Sequence, residues 1–143
     1  MISMEVSMVE VNAVYEGSLR CSAAHAPSQS TLQTDAPKDN HGLGEAFSPT
    51  DLVAAALPTC MMTIMGIVAA RHNIDLRGMQ ARTEKEMSKD LPRRIHSLKT
   101  VIRVPIAADH PQREALEHAA HTCPVHASLH PDIQASIEFH YAG

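Results

Sequence analysis

Tryptophan is absent from this 143-residue chain, and only four other aromatic side chains occur: Tyr15, Phe47, Phe139 and Tyr141. So few rings cannot build a platform on which bases stack. Positive charge is also scarce, with twelve Lys and Arg against sixteen Asp and Glu and a net charge of −4. A nucleic-acid partner would call for a clustered basic face, so no such partner is expected. Cysteine is limited to Cys21, Cys60 and Cys123. An odd number does not make a disulfide framework, and the thiols read as free in a reducing compartment. The opening MISMEVSMVEV lacks the basic flank and apolar run of a secretory leader, which places the protein in the cytoplasm. Glycine forms no phosphate loop: Gly42-Leu43-Gly44 is too little, and no nucleophile elbow accompanies it.

Charge is missing in one further place, the nineteen residues from Leu52 to Ala70, LVAAALPTCMMTIMGIVAA. That length reaches a membrane span. Much of it is Ala, Thr, Pro, Gly and Cys, and no Lys/Arg cluster flanks it to set an orientation, so a core helix is expected and no membrane. Ser48 suits the N-cap, Pro49 the first helical position, and Asp51 the place of a capping acid. The predicted helix runs to about Asn73, with a kink at Pro58. It is apolar all round and needs cover on every side, more than one domain of this size supplies. A second subunit is therefore expected to complete its burial.

The remaining pattern is mostly alternation. Met4 to Val14 reads as a strand with a bulge at Met8–Val9, and Leu19 to Ala24 as its hairpin partner across Glu16-Gly17-Ser18. A short strand follows over Thr31 to Thr34, then a loop over 35–47. Met79 to Ser88 and Ile95 to Val104 make a second hairpin around a Pro-containing turn at Asp90 to Arg93. A helix opens at Asp109-His110-Pro111 and runs to about His121, Cys123-Pro124 starts a last helical turn to Leu129, and Ile133 to Tyr141 is the final strand. The sequence predicts one α+β domain, 1–143, in the order βββ-α-ββ-α-β around a long buried helix.

Two thiols stand out. Cys60 sits mid-helix two residues past Pro58, among Met61, Met62 and Met65, and can be a small buried apolar residue or a thiol beside an opened hydrogen-bond ladder. Cys123 precedes Pro124, so it lies at a helix N-terminus, where free N–H groups and the helix dipole would lower its pKa below about 8.5. An inert, half-buried cap residue is the alternative. Arg20 is either a solvated sheet residue or a holder of a thiolate or oxyanion, since guanidinium keeps its charge and donates in a fixed fork. Asp51 is first a capping residue, with a second use in orienting Arg20. His118, His121, Cys123 and His126 offer zinc-ligand types without the spacing of a compact zinc motif.

The run FSPTDLVAAALPTCMMTIMGI, the downstream CPVHASL and the early Y-x-G-x-L-R resemble the OsmC/Ohr family of thiol-dependent peroxidases over nearly the whole chain. The resemblance implies an intertwined homodimer with its active sites at the interface and no metal or organic cofactor. It gives Cys60 the peroxidatic role, Cys123 the resolving one, and Arg20 the holding of the reactive thiolate. The substrate would be an organic hydroperoxide or hydrogen peroxide, and the reductant a small dithiol or other thiol. One position departs from the organic-hydroperoxide branch: Thr50 stands where that branch usually has Glu, and the acid comes one residue later at Asp51. Beside the peroxidase stand two other readings, a non-enzymatic OsmC-fold protein that binds a small apolar ligand or senses redox state, and a metal binder through the His/Cys set. What Cys21 does beyond occupying a strand is left open.

Overall fold

Three successive runs of alternating residues fold back on one another at the start of the chain. In the computed structural model, which describes residues 8–142, these are β1 (Val11–Gly17), β2 (Arg20–His25) and β3 (Thr31–Asp35), an antiparallel sheet in that order. Both central residues of the first turn, Ser18 and Leu19, have positive φ (54° and 62°), the backbone that matches strand twist in a two-residue hairpin. The bulge predicted at Met8–Val9 lies elsewhere: the register slips between Tyr15 and Gly17, so the irregularity falls beside the tight turn. Met8 and Val9 lie outside the strand, and residues 4–7 lie outside the described residues.

The chain divides into two compact units, residues 1–50 and 51–143. The first contains the three-stranded sheet and the loop that follows it, whose Lys38–Asn40 forms one turn of 3-10 helix. This loop is drawn tightly against the end of β3. A Cβ on Gly42 would stand 1.7 Å from the Ala36 carbonyl oxygen, so only glycine fits there.

The second unit holds the core. Helix α1 (Pro49–Arg71) is followed by β4 (Gln80–Met87), β5 (Ile95–Ala107), α2 (Arg113–His121), α3 (Pro124–Ser128) and β6 (Gln134–Ala142). β5 is central, antiparallel to β4 and parallel to β6. A parallel pair needs a crossover, and α2 and α3 supply it. Leu98, Thr100, Ile102, Val104 and Ile106 alternate along β5 toward the buried face. Against them the core gathers Leu57, Met61, Met65 and Ala69 from α1, and Leu116 and Ala120 from α2.

Helix α1 is long and apolar enough to cross a membrane by length and composition, yet it packs in this fold as a core helix over a sheet. Within a single chain this helix is covered on one side, as expected of an apolar wall too wide for one domain to bury. Leu57, Pro58, Met61, Met65 and Ala69 are buried, while Ala56, Thr59, Thr63, Ile67 and Ala70 form an exposed stripe at helical spacing. One sheet can cover only one side of a helix. Helix α2 also begins later than Asp109. The His110 ring accepts the Gln112 N–H at 3.0 Å and the His110 carbonyl accepts from Arg113, so 109–112 is spent as a turn.

Candidate active site

Helix α1 carries Cys60 on a half-buried position one residue before the buried Met61. The crossover delivers Cys123 to it: Thr122 ends α2, and Cys123 caps the short α3 with Pro124 at the first helical position. The Cys123 backbone is extended (φ −64°, ψ 149°), and its Sγ accepts the His126 N–H at 3.4 Å. The cap predicted from Cys-Pro is therefore present. Its expected electrostatic consequence is reversed. Cys123 is fully buried, and burial pushes its thiol above the ordinary range, outweighing the lowering effect of the His126 N–H. The neighbouring Cys60 side chain adds to the rise. Both cysteines are free, and the second unit brings together two residues 63 positions apart in sequence, 123 − 60.

Arg20 belongs to the first unit. Sheet register sets it opposite Asp35, so the pair are cross-strand neighbours. Arg20 Nη2 donates to Asp35 Oδ2 at 3.1 Å and to Glu45 Oε2 at 3.3 Å. Asp35 is buried, and its Oδ2 also accepts the Glu45 N–H at 2.9 Å. That backbone donor first, and then the Arg20 guanidinium, hold the Asp35 carboxyl below its usual range in spite of its burial. Sequence reasoning offered Asp51 as the carboxylate for Arg20. The structure supplies Asp35 and Glu45 from Arg20's own unit, and gives Asp51 to Lys85 of β4, Nζ to Oδ1 at 2.7 Å. Asp35 was missed because it was read as the first residue of a loop. The available signal was its register opposite Arg20 across the turn between β2 and β3.

The histidine set does not converge. Among the described residues no three His, Cys, Asp or Glu side chains stand close enough to hold a metal ion. His121 instead packs its ring against Phe139 of β6, centroids 6.0 Å apart. Cys21 lies near the start of β2, opposite Tyr15 and Thr34, on a half-buried position. An open groove of about 550 Å³ runs along α1 from Thr59 and Thr63 past Gly66 to Ile74 and Met79, and neither Cys60 nor Cys123 lines it.

The sequence model of the OsmC-like protein family matches residues 42–138. Among solved structures, the chain is 41% identical to a proposed osmotic stress induced and detoxification response protein from Psychrobacter arcticus 273-4, covering 98% of this chain and 100% of that one with a TM-score of 0.85. It shares its fold with an organic hydroperoxide resistance protein OsmC from Legionella pneumophila (17% identity, 96% and 99% coverage, TM-score 0.76). It also shares it with an organic hydroperoxide resistance protein from Elizabethkingia anophelis (13% identity, 98% and 100% coverage, TM-score 0.78). No curated protein matches the chain.

Proposed function

This chain belongs to the OsmC-like protein family, and we propose that it is a thiol-dependent peroxidase using Cys60 and Cys123. The observation that carries this reading is the placing of both thiols, Cys60 on α1 and Cys123 at the start of α3, as neighbours in one core. In the proposed reaction the Cys60 thiolate attacks one oxygen of the peroxide. The O–O bond breaks, sulfur is oxidised to a sulfenic acid, and the other oxygen takes up a proton and leaves as an alcohol, or as water from hydrogen peroxide. The Cys123 thiol then attacks the Cys60 sulfur, forming a disulfide and releasing water. An external dithiol reduces that disulfide by exchange and returns both thiols.

The asymmetry of the pair suits the two roles. Cys60 is the more exposed and can meet a peroxide, while Cys123 is buried and kept protonated until its partner is oxidised. Arg20 takes the role that the family resemblance implies, holding the reactive thiolate. Asp51 acts on the other side of the assignment, tying the first turn of α1 to β4 through Lys85. The reaction needs no metal or organic cofactor, and its thiol chemistry suits the reducing cytoplasm. Organic hydroperoxides are the favoured substrates, by analogy with the Legionella and Elizabethkingia proteins that share the fold.

The working form in this reading is a homodimer. The exposed stripe of α1 is made smooth by its own threonines, since Thr59 Oγ1 folds back onto the Ala55 carbonyl at 2.8 Å and Thr63 Oγ1 onto that of Thr59 at 2.7 Å. With Ile67 47% exposed between Thr63 and Ala70, this is a face suited to another helix. The test of function is consumption of cumene hydroperoxide and of hydrogen peroxide by the purified protein with a dithiol reductant. Wild type should turn over, Cys60→Ser should not, and Cys123→Ser should stall after one oxidation. Wild type no faster than Cys60→Ser with either peroxide would remove the enzyme assignment.

A further inference from the structure

Two histidines outside the thiol site share one local arrangement. Each precedes a proline, in His110-Pro111 and His130-Pro131. His110 Nδ1 accepts the Gln112 N–H at 3.0 Å, and His130 Nδ1 accepts the Asp132 N–H at 3.0 Å. The two backbone carbonyls match as well, that of His110 accepting the Arg113 N–H at 3.1 Å and that of His130 the Ile133 N–H at 3.0 Å. The cause is local. Proline disfavours the helical region for the residue before it and has no N–H of its own, so the residue after it carries the first N–H within reach. Asp and Asn close such turns with a side-chain oxygen, and here an imidazole nitrogen takes that place.

The two turns stand at the two ends of one segment. β5 ends at Ala107 and β6 begins at Gln134, and the crossover between them carries α2, Cys123 and α3. His110 closes the turn that leaves β5, and His130 the turn that leads into β6. An Nδ1 that accepts an N–H carries no proton, so each ring is held as neutral imidazole with its hydrogen on Nε2. A second proton goes to the accepting nitrogen and sets N–H against N–H. Nearby charge offsets this unequally. Asp132 Oδ2 stands 3.7 Å from His130 Nδ1 and attracts a protonated ring, although both side chains are largely exposed. The half-buried His110 has no ion-pair partner among the described residues, and the neighbouring Arg113 is committed to Glu117 and to the Ala108 carbonyl. No charged group of α1, β4, β5 or β6 lies within ion-pair reach of either ring among the described residues.

We propose that the His110 and His130 turns form a pH-sensitive hold on the crossover, closed while both rings are neutral and released when they take up a proton. Imidazole is the side chain whose charge changes between pH 5 and 8, so release comes on mild acidification. The segment set loose is the one that carries Cys123 in its cap. The hold stands apart from the peroxidase reading, and its test involves no turnover.

That test is amide hydrogen exchange of the full-length reduced protein at pH 7.5 and pH 5.5, read by NMR as protection relative to the unfolded rate at each pH. Gln112 and Asp132 should lose protection at the lower pH by roughly two- to tenfold, the share of one intramolecular hydrogen bond. The amide of the fully buried Ile102 on β5 should keep its protection. Replacing both histidines by Asn supplies an acceptor that does not titrate, and should abolish the loss. Replacing both by Ala removes the acceptor, and should leave Gln112 and Asp132 weakly protected at either pH. Unchanged wild-type protection at pH 5.5 overturns the proposal, as does a loss that persists in the Asn variant or one that Ile102 shares equally. If the double Asn variant does not fold, His110→Asn alone decides. Gln112 held at pH 5.5 while Asp132 loses protection supports the hold, and Gln112 falling as in the wild type overturns it.

Discussion

Cys60 and Cys123 are neighbours in one core, Cys60 half-buried on α1 and Cys123 fully buried at the cap of α3. The contact depends on topology. Because β6 runs parallel to β5, the chain must cross over between them, and that crossover carries Cys123 back across the core to the middle of α1. Cys123 thereby becomes a core residue as well as a cap, and desolvation decides its protonation.

The first prediction concerns reactivity. Burial first, and then the neighbouring Cys60, hold Cys123 above the ordinary thiol range. Iodoacetamide at pH 7 should therefore modify Cys60 well before Cys123 in the native, reduced protein. Peptide-resolved mass spectrometry checks the order. Cys123 reacting first would mean that the α3 N-terminus outweighs burial after all.

A second prediction concerns the stripe on α1. Replacing Ile67 by Glu puts a charge where the proposed dimer packs a helix. Covering the exposed half of each Ile67 is about 0.75–1.5 kcal/mol per chain, so about 1.5–3 kcal/mol for the dimer, on the order of ten- to a hundredfold in the dissociation constant. Light scattering across a dilution series should show the wild type at the mass of two chains and Ile67→Glu shifted toward one. A wild type that stays at the mass of one chain at high concentration would remove the dimer.

Most elements were legible because their signals are local. Pro49 at the helix start and alternation in the strands named the elements, and Cys-Pro named the α3 cap. What was not legible depends on pairing. The Arg20–Asp35 clamp follows from the register of β2 against β3, which no single strand's pattern states. The ordering of the Cys123 thiol against its cap follows from how deeply the crossover sinks it, and no short window of sequence holds that depth. The Asp51–Lys85 pair is similar, a contact between a helix start and a strand that are 34 positions apart, 85 − 51.

A third prediction uses the Asp35 carboxyl, held below its ordinary value of 3.8 mainly by the Glu45 N–H and also by Arg20. A carboxyl with a lowered folded pKa stabilises the fold fully at pH values above its unfolded pKa. That contribution disappears as pH falls through the folded value. Wild type should therefore lose denaturant stability between pH 6 and pH 3, and Asp35→Asn should lose less over the same interval. Urea unfolding curves at the two pH values measure it. Equal losses in both proteins would show that Asp35 carries no charge-dependent stabilisation.

The last prediction tests how α2 is held to β6. Tyr141 donates its hydroxyl to Glu117 Oε2, Arg113 Nε donates to the same oxygen at 2.9 Å, and the Arg113 guanidinium lies over the Tyr141 ring, 5.4 Å from its centroid. Burial and then the Glu117 carboxylate push the Tyr141 hydroxyl well above its ordinary range, so it stays a donor across the neutral range. Tyr141→Phe removes that donor while keeping the ring under Arg113. The expected cost is about 1–2 kcal/mol, between a neutral hydrogen bond and one to a charged group, because the site is only partly buried. Glu117→Ala removes both hydrogen bonds to that oxygen, and the double variant isolates the tyrosine's share. A coupling of about 1 kcal/mol between Tyr141→Phe and Glu117→Ala in urea unfolding is expected from two groups in direct contact. Strict additivity of the two losses would mean that the hydroxyl contributes nothing to the joint, leaving α2 held to β6 through ring packing and the core contacts of Leu116 and Ala120.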